Sequence, residues 1–230
     1  MSCNHSHSHG HSHGDGHPPP PIPTNPSQSL NSFISTSQLN ALNLNNETSL
    51  LPLLFKSYEQ RYSVNPIFTA DDDLIIHIPF TSPVKIYSVI LRTANGAAKN
   101  IAFYKNQPGL DFESVGSLKA TYKAEHPHVG LDKGQVDQLA ANNVDSFEDD
   151  DTFVEHHLPR RLFSGVETFT LYFKDLWDDY DDDEVVLFSI EIRGEWTGLK
   201  RDPVVAIYEA SAQLGDHKRV KENISNNVLM

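Results

Sequence analysis

Histidines alternate with serine and glycine near the start of this 230-residue chain, at His5, His7, His9, His11 and His13. Neutral imidazoles on a pliable backbone can close around Zn²⁺, Ni²⁺ or Cu²⁺, and Cys3 would add a soft ligand. The small spacers do not preorganise that set, so binding has to order the chain as well. The run therefore reads as a solvated arm with adventitious metal affinity, and no cofactor is expected. A second run, Asp178–Glu184, gathers six carboxylates around Tyr180. Hard cations such as Ca²⁺ take several oxygens, but the central glycine and twelfth-position acid of a calcium loop are missing, which leaves a solvated acidic loop.

Candidates for acid–base and nucleophilic work are scattered. His77, His126, His128, His156 and His157 offer bases, and Ser164 and Ser189 offer hydroxyls. No Gly-x-Ser-x-Gly elbow, phosphate-cradling glycine loop or His-Glu-x-x-His motif joins them, so the expectation is that the chain is not an enzyme. Trp177, Tyr180 and Trp196 admit a small-ligand or glycan-binding alternative, because sugar rings stack on aromatic faces. Trp196 itself is expected to cap the core between two sheets, with its N–H satisfied at the rim. Lys200, Arg201, Arg160 and Arg161 stand out as cations able to meet an acidic protein partner.

The totals bound the partners. Eighteen Lys and Arg face 31 Asp and Glu, a formal charge of −13. Nucleic acid needs a basic face and is not expected, nor is an anionic membrane surface. The single Cys3 rules out an internal disulfide or a Cys-x-x-Cys pair within the chain. No apolar run approaches the ~20 residues of a membrane helix. These features predict a reducing, intracellular compartment; the expected localisation is cytoplasmic and nuclear, and a monomer is favoured with the oligomeric state left open.

Elements able to position such residues are mostly strands. Residues 1–29 are rich in histidine and proline and read as a disordered tail. Leu39, Leu42 and Leu44 with Ile34 suggest a short helix or irregular lead-in, and Pro52 should stop any helix before Leu53. LIIHIPF, VKIYSVILRT and KNIAFYK are β-branched and aromatic runs split by Thr81-Ser82-Pro83 and Asn95-Gly96, which predicts three strands. One or two helical turns fit Gln135 to Ala141. Glu167 to Lys174 alternates cleanly, with Phe169, Leu171 and Phe173 on one face. Val185 to Arg193 alternates too, with Val186, Phe188, Ile190 and Ile192 forming an apolar face, and Pro203 to Glu209 is a further strand candidate. The sum is an all-β, antiparallel sandwich or jelly roll at 30–212, followed by a polar, disordered tail at 213–230.

RGEWTGLKR, YEASA, Gly215-Asp216-His217, DDDLIIHIPFTSPVKIYSVIL, FYKNQPGLDFE and the Ser-His-Gly opening together resemble the stand-alone members of the PITH domain family. That resemblance implies a galactose-binding-like β-sandwich, no enzymatic activity, and association with the proteasome or a regulator of it. Two departures stand out. Phe55-Lys56-Ser57-Tyr58 occupies a position where the family often has Phe-Lys-Pro-Trp, and the loop before the last strands is unusually acidic. The thioredoxin domain found beside some PITH domains is absent, so redox chemistry is not implied.

Overall fold

The computed structural model describes residues 22–142, 144–177 and 184–198. Two units divide the chain after Lys200, and everything below lies in the first. Among the described residues the seven strands are β1 (Asn40–Leu44), β2 (Phe68–Thr93), β3 (Asn100–Lys105), β4 (Tyr122–Glu125), β5 (Phe153–His157), β6 (Val166–Lys174) and β7 (Val185–Trp196).

The organising element is β2. Sequence predicts two strands here with a turn at Thr81-Ser82-Pro83, but the chain runs as one 26-residue strand. Before Pro79 it pairs with β1 and β6, and after Val84 it pairs with β5 and β7. Pro79 and Pro83 bring no backbone N–H, so the ladder is interrupted where the partners change, and the strand turns a corner from one layer into the other. One layer runs β1-β2-β6-β3-β4. The second holds β5, the later arm of β2, and β7. Within each run of β2–β7 pairing the residue numbers move oppositely, Phe68–Ala70 against Leu187–Val185 and Val84–Thr93 against Trp196–Leu187. The start of β7 therefore lies between the two ends of β2 and ties the layers together. This is the expected all-β sandwich.

Between the layers lies the main core. Leu74, Ile76, Ile78 and Phe80 of β2, Ile101 and Phe103 of β3, and Phe169, Leu171 and Phe173 of β6 meet Val84, Ile86, Val89 and Leu91 of β2 and Ile190 and Ile192 of β7. A fully buried Phe or Ile side chain is worth roughly 1.5–3 kcal/mol relative to exposure. Helix α1 (Phe112–Val115) opens on an Asp111–Ser114 capping box. Helix α2 (Lys133–Ala141) supplies Val136 and Leu139 to a second core over the outer face of β7.

Two local expectations need correction. The apolar side of β7 is not a single face: Val185, Leu187, Ile190 and Ile192 enter the main core, whereas Val186 and Phe188 enter the second. The cause is a bulge. Thr93 faces Leu187 while Arg92 faces Ser189, so Phe188 is an extra residue and the alternation changes phase there. Pro52 does not end a helix either, because it lies inside the 3-10 segment Thr48–Leu54. Its missing N–H costs little in so short a turn, and its carbonyl accepts from Phe55.

Contacts with the sandwich begin before Leu30. Pro26–Gln28 forms a 3-10 turn capped by Asn25, and Thr24 bonds Glu155 across the second layer. The tail at 1–21, the strand candidate Pro203–Glu209, Tyr180 and most of the acidic run lie outside the described residues. Among the described residues no helix is long and apolar enough to cross a membrane.

Candidate functional site

The exit of β7 carries the most distinctive surface. Gly194 sits in the strand where a Cβ would come 2.0 Å from the Lys85 carbonyl oxygen and 2.8 Å from Leu30 Cδ1. Only glycine permits that approach, and it brings Glu195 opposite Lys85. One residue on, Ile86 faces Gly194 and Ser88 faces Arg193, so Tyr87 is the extra residue of a second bulge. Its hydroxyl donates to Glu195 Oε2 at 2.6 Å, and Lys85 Nζ reaches the same oxygen at 3.4 Å. The Tyr87 bond and then Lys85 hold the Glu195 carboxyl below the usual carboxylate range, while the same bond pushes the Tyr87 phenol up. The loop after β5 is anchored by the Leu158 N–H on the Tyr87 carbonyl, and it lays the Arg160 guanidinium 3.9 Å above the Tyr87 ring.

Trp196 occupies the other flank, as neighbouring residues on a strand must. It is 46% exposed, so it does not cap the core as its size suggested. The indole stacks on Phe33 with centroids 5.7 Å apart and planes 10° from parallel, and Nε1 donates to Ser82 Oγ at 2.6 Å. The reason is local. The two layers are already closed by phenylalanines, and the corner of β2 offers the indole a hydroxyl at the surface instead.

Of the cations singled out by sequence, Arg160 is built into this ladder and Arg161 is exposed beside it. Lys200 and Arg201 lie outside the described residues, as do Cys3 and the metal candidates His5, His7, His9, His11 and His13. Among the described residues no three metal-ligating side chains cluster. Trp177 is half-buried, donating Nε1 to the His126 carbonyl, with Lys99 Nζ 5.0 Å above its ring.

The candidate bases separate. His77 is buried in β2 against Thr170 Oγ1 at 3.0 Å. His126 and His156 are buried together, Nδ1 to Nε2 at 2.8 Å. Burial pushes both below the ordinary histidine value, helped in His126 by His156 and in His156 by His157. Neither Ser164 nor Ser189 has a histidine as hydrogen-bond partner, so no nucleophile–base pair forms from this set.

Sequence reasoning passed over a cleft on the outer face of the second layer. It has a volume of about 290 Å³ and is lined by residues including Lys56, Arg61, Phe153, Glu155, Glu191 and Arg193. Lys56 is 8% exposed and donates to the carbonyls of Ser63 at 2.7 Å and Phe188 at 2.6 Å. The second of these belongs to the bulge residue of β7. Behind it the fully buried Arg92 donates to Thr152 Oγ1 and to the carbonyls of Tyr62 and Phe147. Burial, then Arg92, lower the Lys56 pKa to about 8. A lone Lys in a Phe-Lys-Ser-Tyr run carries no sign of burial, and only its place in the family's Phe-Lys-Pro-Trp position could have drawn attention to it.

Comparison with known proteins completes the picture. The PITH domain model matches residues 20–212. The chain belongs to the PITH domain family. A PITH domain-containing protein of Schizosaccharomyces pombe is 28% identical over 174 residues, covering 74% of each chain. PITH domain-containing protein 1 of Homo sapiens is 28% identical over 170 residues, 72% of this chain and 69% of that one. Among solved structures, the C-terminal domain of a chitobiase from Bacteroides fragilis superposes with a TM-score of 0.38 at 11% identity, covering 70% of this PITH chain and 97% of that chain. A pectin-binding carbohydrate-binding module gives 0.35 at 11% identity, covering 69% and 91%.

Proposed function

We propose that this PITH domain is a non-enzymatic protein-interaction module of the cytoplasm and nucleus that associates with the proteasome or with a regulator of it. Family membership supports the interaction role. The observation that carries the reading is the exit of β7, where Trp196, Tyr87 and Arg160 stand at the surface, held by bonds to Ser82 and Glu195. Tryptophan, tyrosine and arginine are the residues most enriched among those that dominate protein interfaces. Because their partners inside the fold already fix them, little side-chain freedom is lost when a partner covers them. In an acidic protein the Arg160 and Arg161 cations would steer an acidic partner to this end.

A pulldown with the tagged full chain, quantified for proteasome subunits, tests this. Trp196→Ala and Arg160→Glu should each lower recovery at least about tenfold, as expected of central interface residues. Equal recovery with both variants moves the interface elsewhere. No proteasome subunit recovered with the wild-type chain defeats the proteasome reading.

A further inference from the structure

We infer that the cleft around Lys56 is a binding site for a small oxyanion, carrying a carboxylate or phosphate group. The inference starts from the three N–H bonds of the Lys56 ammonium. Two are spent on the Ser63 and Phe188 carbonyls, and the third has no acceptor among the described residues. No carboxylate of the described residues lies within 4.0 Å of this cation, although it is more than nine-tenths buried. Neutral carbonyls only partly offset the removal of an ammonium from water, so this charge retains a strong demand for an anion.

The acids that share the cleft are each engaged. Glu191 holds Arg193 through Nε at 2.7 Å and Nη2 at 3.2 Å. Glu155 accepts from Ser88 at 2.5 Å and from Thr24, with His157 Nε2 3.8 Å from its other oxygen. Asp150 accepts from Tyr62 at 2.7 Å and lies 3.9 Å from Arg61 Nε. Arg61 is itself held between the rings of Tyr58 and Tyr62, at 3.8 and 4.0 Å. Lys56 is thus the cation of the cleft wall whose charge no carboxylate meets. Arg61 lines the same cleft; its Nη1 donates to the Tyr58 carbonyl at 2.8 Å and its Nη2 to the Tyr62 hydroxyl at 2.6 Å, so it brings positive charge beside the guest and one remaining N–H on each terminal nitrogen. A volume of about 290 Å³ is at the lower end for ligand pockets and excludes a folded partner. The site lies on Tyr58, Phe153 and the middle of β7, and its occupancy does not depend on the protein interface proposed above.

The test is a lysine ¹³Cε NMR titration of the full chain, with the Lys56 signal assigned from a Lys56→Arg variant. Inorganic phosphate and malonate are added separately against sodium chloride of equal ionic strength. The expected result is saturable movement of the Lys56 signal with at least one of the two oxyanions and not with chloride. Arg61→Gln should weaken that response about fivefold or more, with an unchanged far-UV circular dichroism spectrum as the check that this variant keeps the fold. Response to phosphate alone or malonate alone upholds the site and tells which group it takes. A Lys56 signal that stays fixed, or moves equally with chloride, overturns the inference and leaves Lys56 as a strut for the bulge carbonyl.

Discussion

Lys56 and Lys85 both lie against β7, and they illustrate two ways of keeping a cation at a sheet. Lys85, 42% exposed, meets the Glu195 carboxylate at 3.4 Å at the strand's exit. Lys56, 8% exposed, meets only carbonyls at the bulge in the strand's middle. Water and the Glu195 carboxylate compensate the first, so that charge costs little. The second is removed from water without a counter-ion, so its charge weighs on stability and waits for an anion. Position along one strand therefore divides a cation paired with a carboxylate from one buried without a counter-ion.

The largest expected effect comes from the glycine next to the exposed pair. Gly194→Ala places a methyl group 2.0 Å from the Lys85 carbonyl oxygen, a backbone atom that cannot step aside. The strands must part, and a loss of roughly 3 kcal/mol or more is expected, read as a lower urea midpoint. Recovery of proteasome subunits should fall with it, since Tyr87 and Glu195 no longer face each other. A variant as stable as the wild type would mean that the close approach does not hold the rim together.

Next in size is the pH dependence of the cleft. Lys56 has a folded pKa of about 8 against 10.5 when free. A lowered lysine pKa means that the unfolded chain binds the proton more tightly. The stability tied to this group is therefore full above 10.5, falls as pH drops, and is lost below about 8. The window is worth on the order of 3 kcal/mol. Urea midpoints from pH 8 to 10.5 should rise less steeply with pH in Lys56→Met than in the wild type. Identical slopes in the two chains would show that Lys56 is not held short of its counter-ion.

How much of this was legible follows from which forces a linear pattern records. Alternation marks which residues are apolar on β6 and β7, and the motif around Trp196 marks the family, so the fold class and strands β3, β6 and β7 were readable. β1, expected as a short helix or irregular lead-in, is a strand because it pairs with β2, a contact its own residues do not announce. Which side of a strand meets which core was not readable, because the bulge at Phe188 shifts the phase by a pairing choice made on β2. The same limit hid both site features. Tyr87 is pushed out by a bulge opposite Gly194, and Lys56 is bound by the carbonyls of Ser63, seven residues on, and of Phe188, 132 residues away. Trp196 was misjudged for a related reason: its size argues for burial, and only the corner of β2 with Ser82 and Phe33 gives it a surface alternative. Arg160 was found as an unusual charge, but its stack on Tyr87 was not.

The His126–His156 pair supplies a third answer to buried charge, and the smallest of the expected effects. Here the groups stay neutral. With Nδ1 and Nε2 2.8 Å apart, one ring donates and the other accepts, and Thr93 Oγ1 at 3.3 Å occupies the far nitrogen of His126. A proton on both rings would set N–H against N–H in a site that excludes water. Both folded pKa values therefore lie below the free value of 6.5, and the unfolded chain takes up protons first as pH falls. The associated stability is present above pH 6.5 and is lost progressively below it. Between pH 7 and pH 6 the pair should cost about 1 kcal/mol, measured as a drop in the urea midpoint. His156→Gln leaves one buried imidazole and should roughly halve that drop. If the drop is unchanged, the acid sensitivity arises elsewhere. If it is halved, the fold tolerates a buried titratable pair by withholding its proton, where at Lys56 it keeps the charge on two carbonyls without a counter-ion.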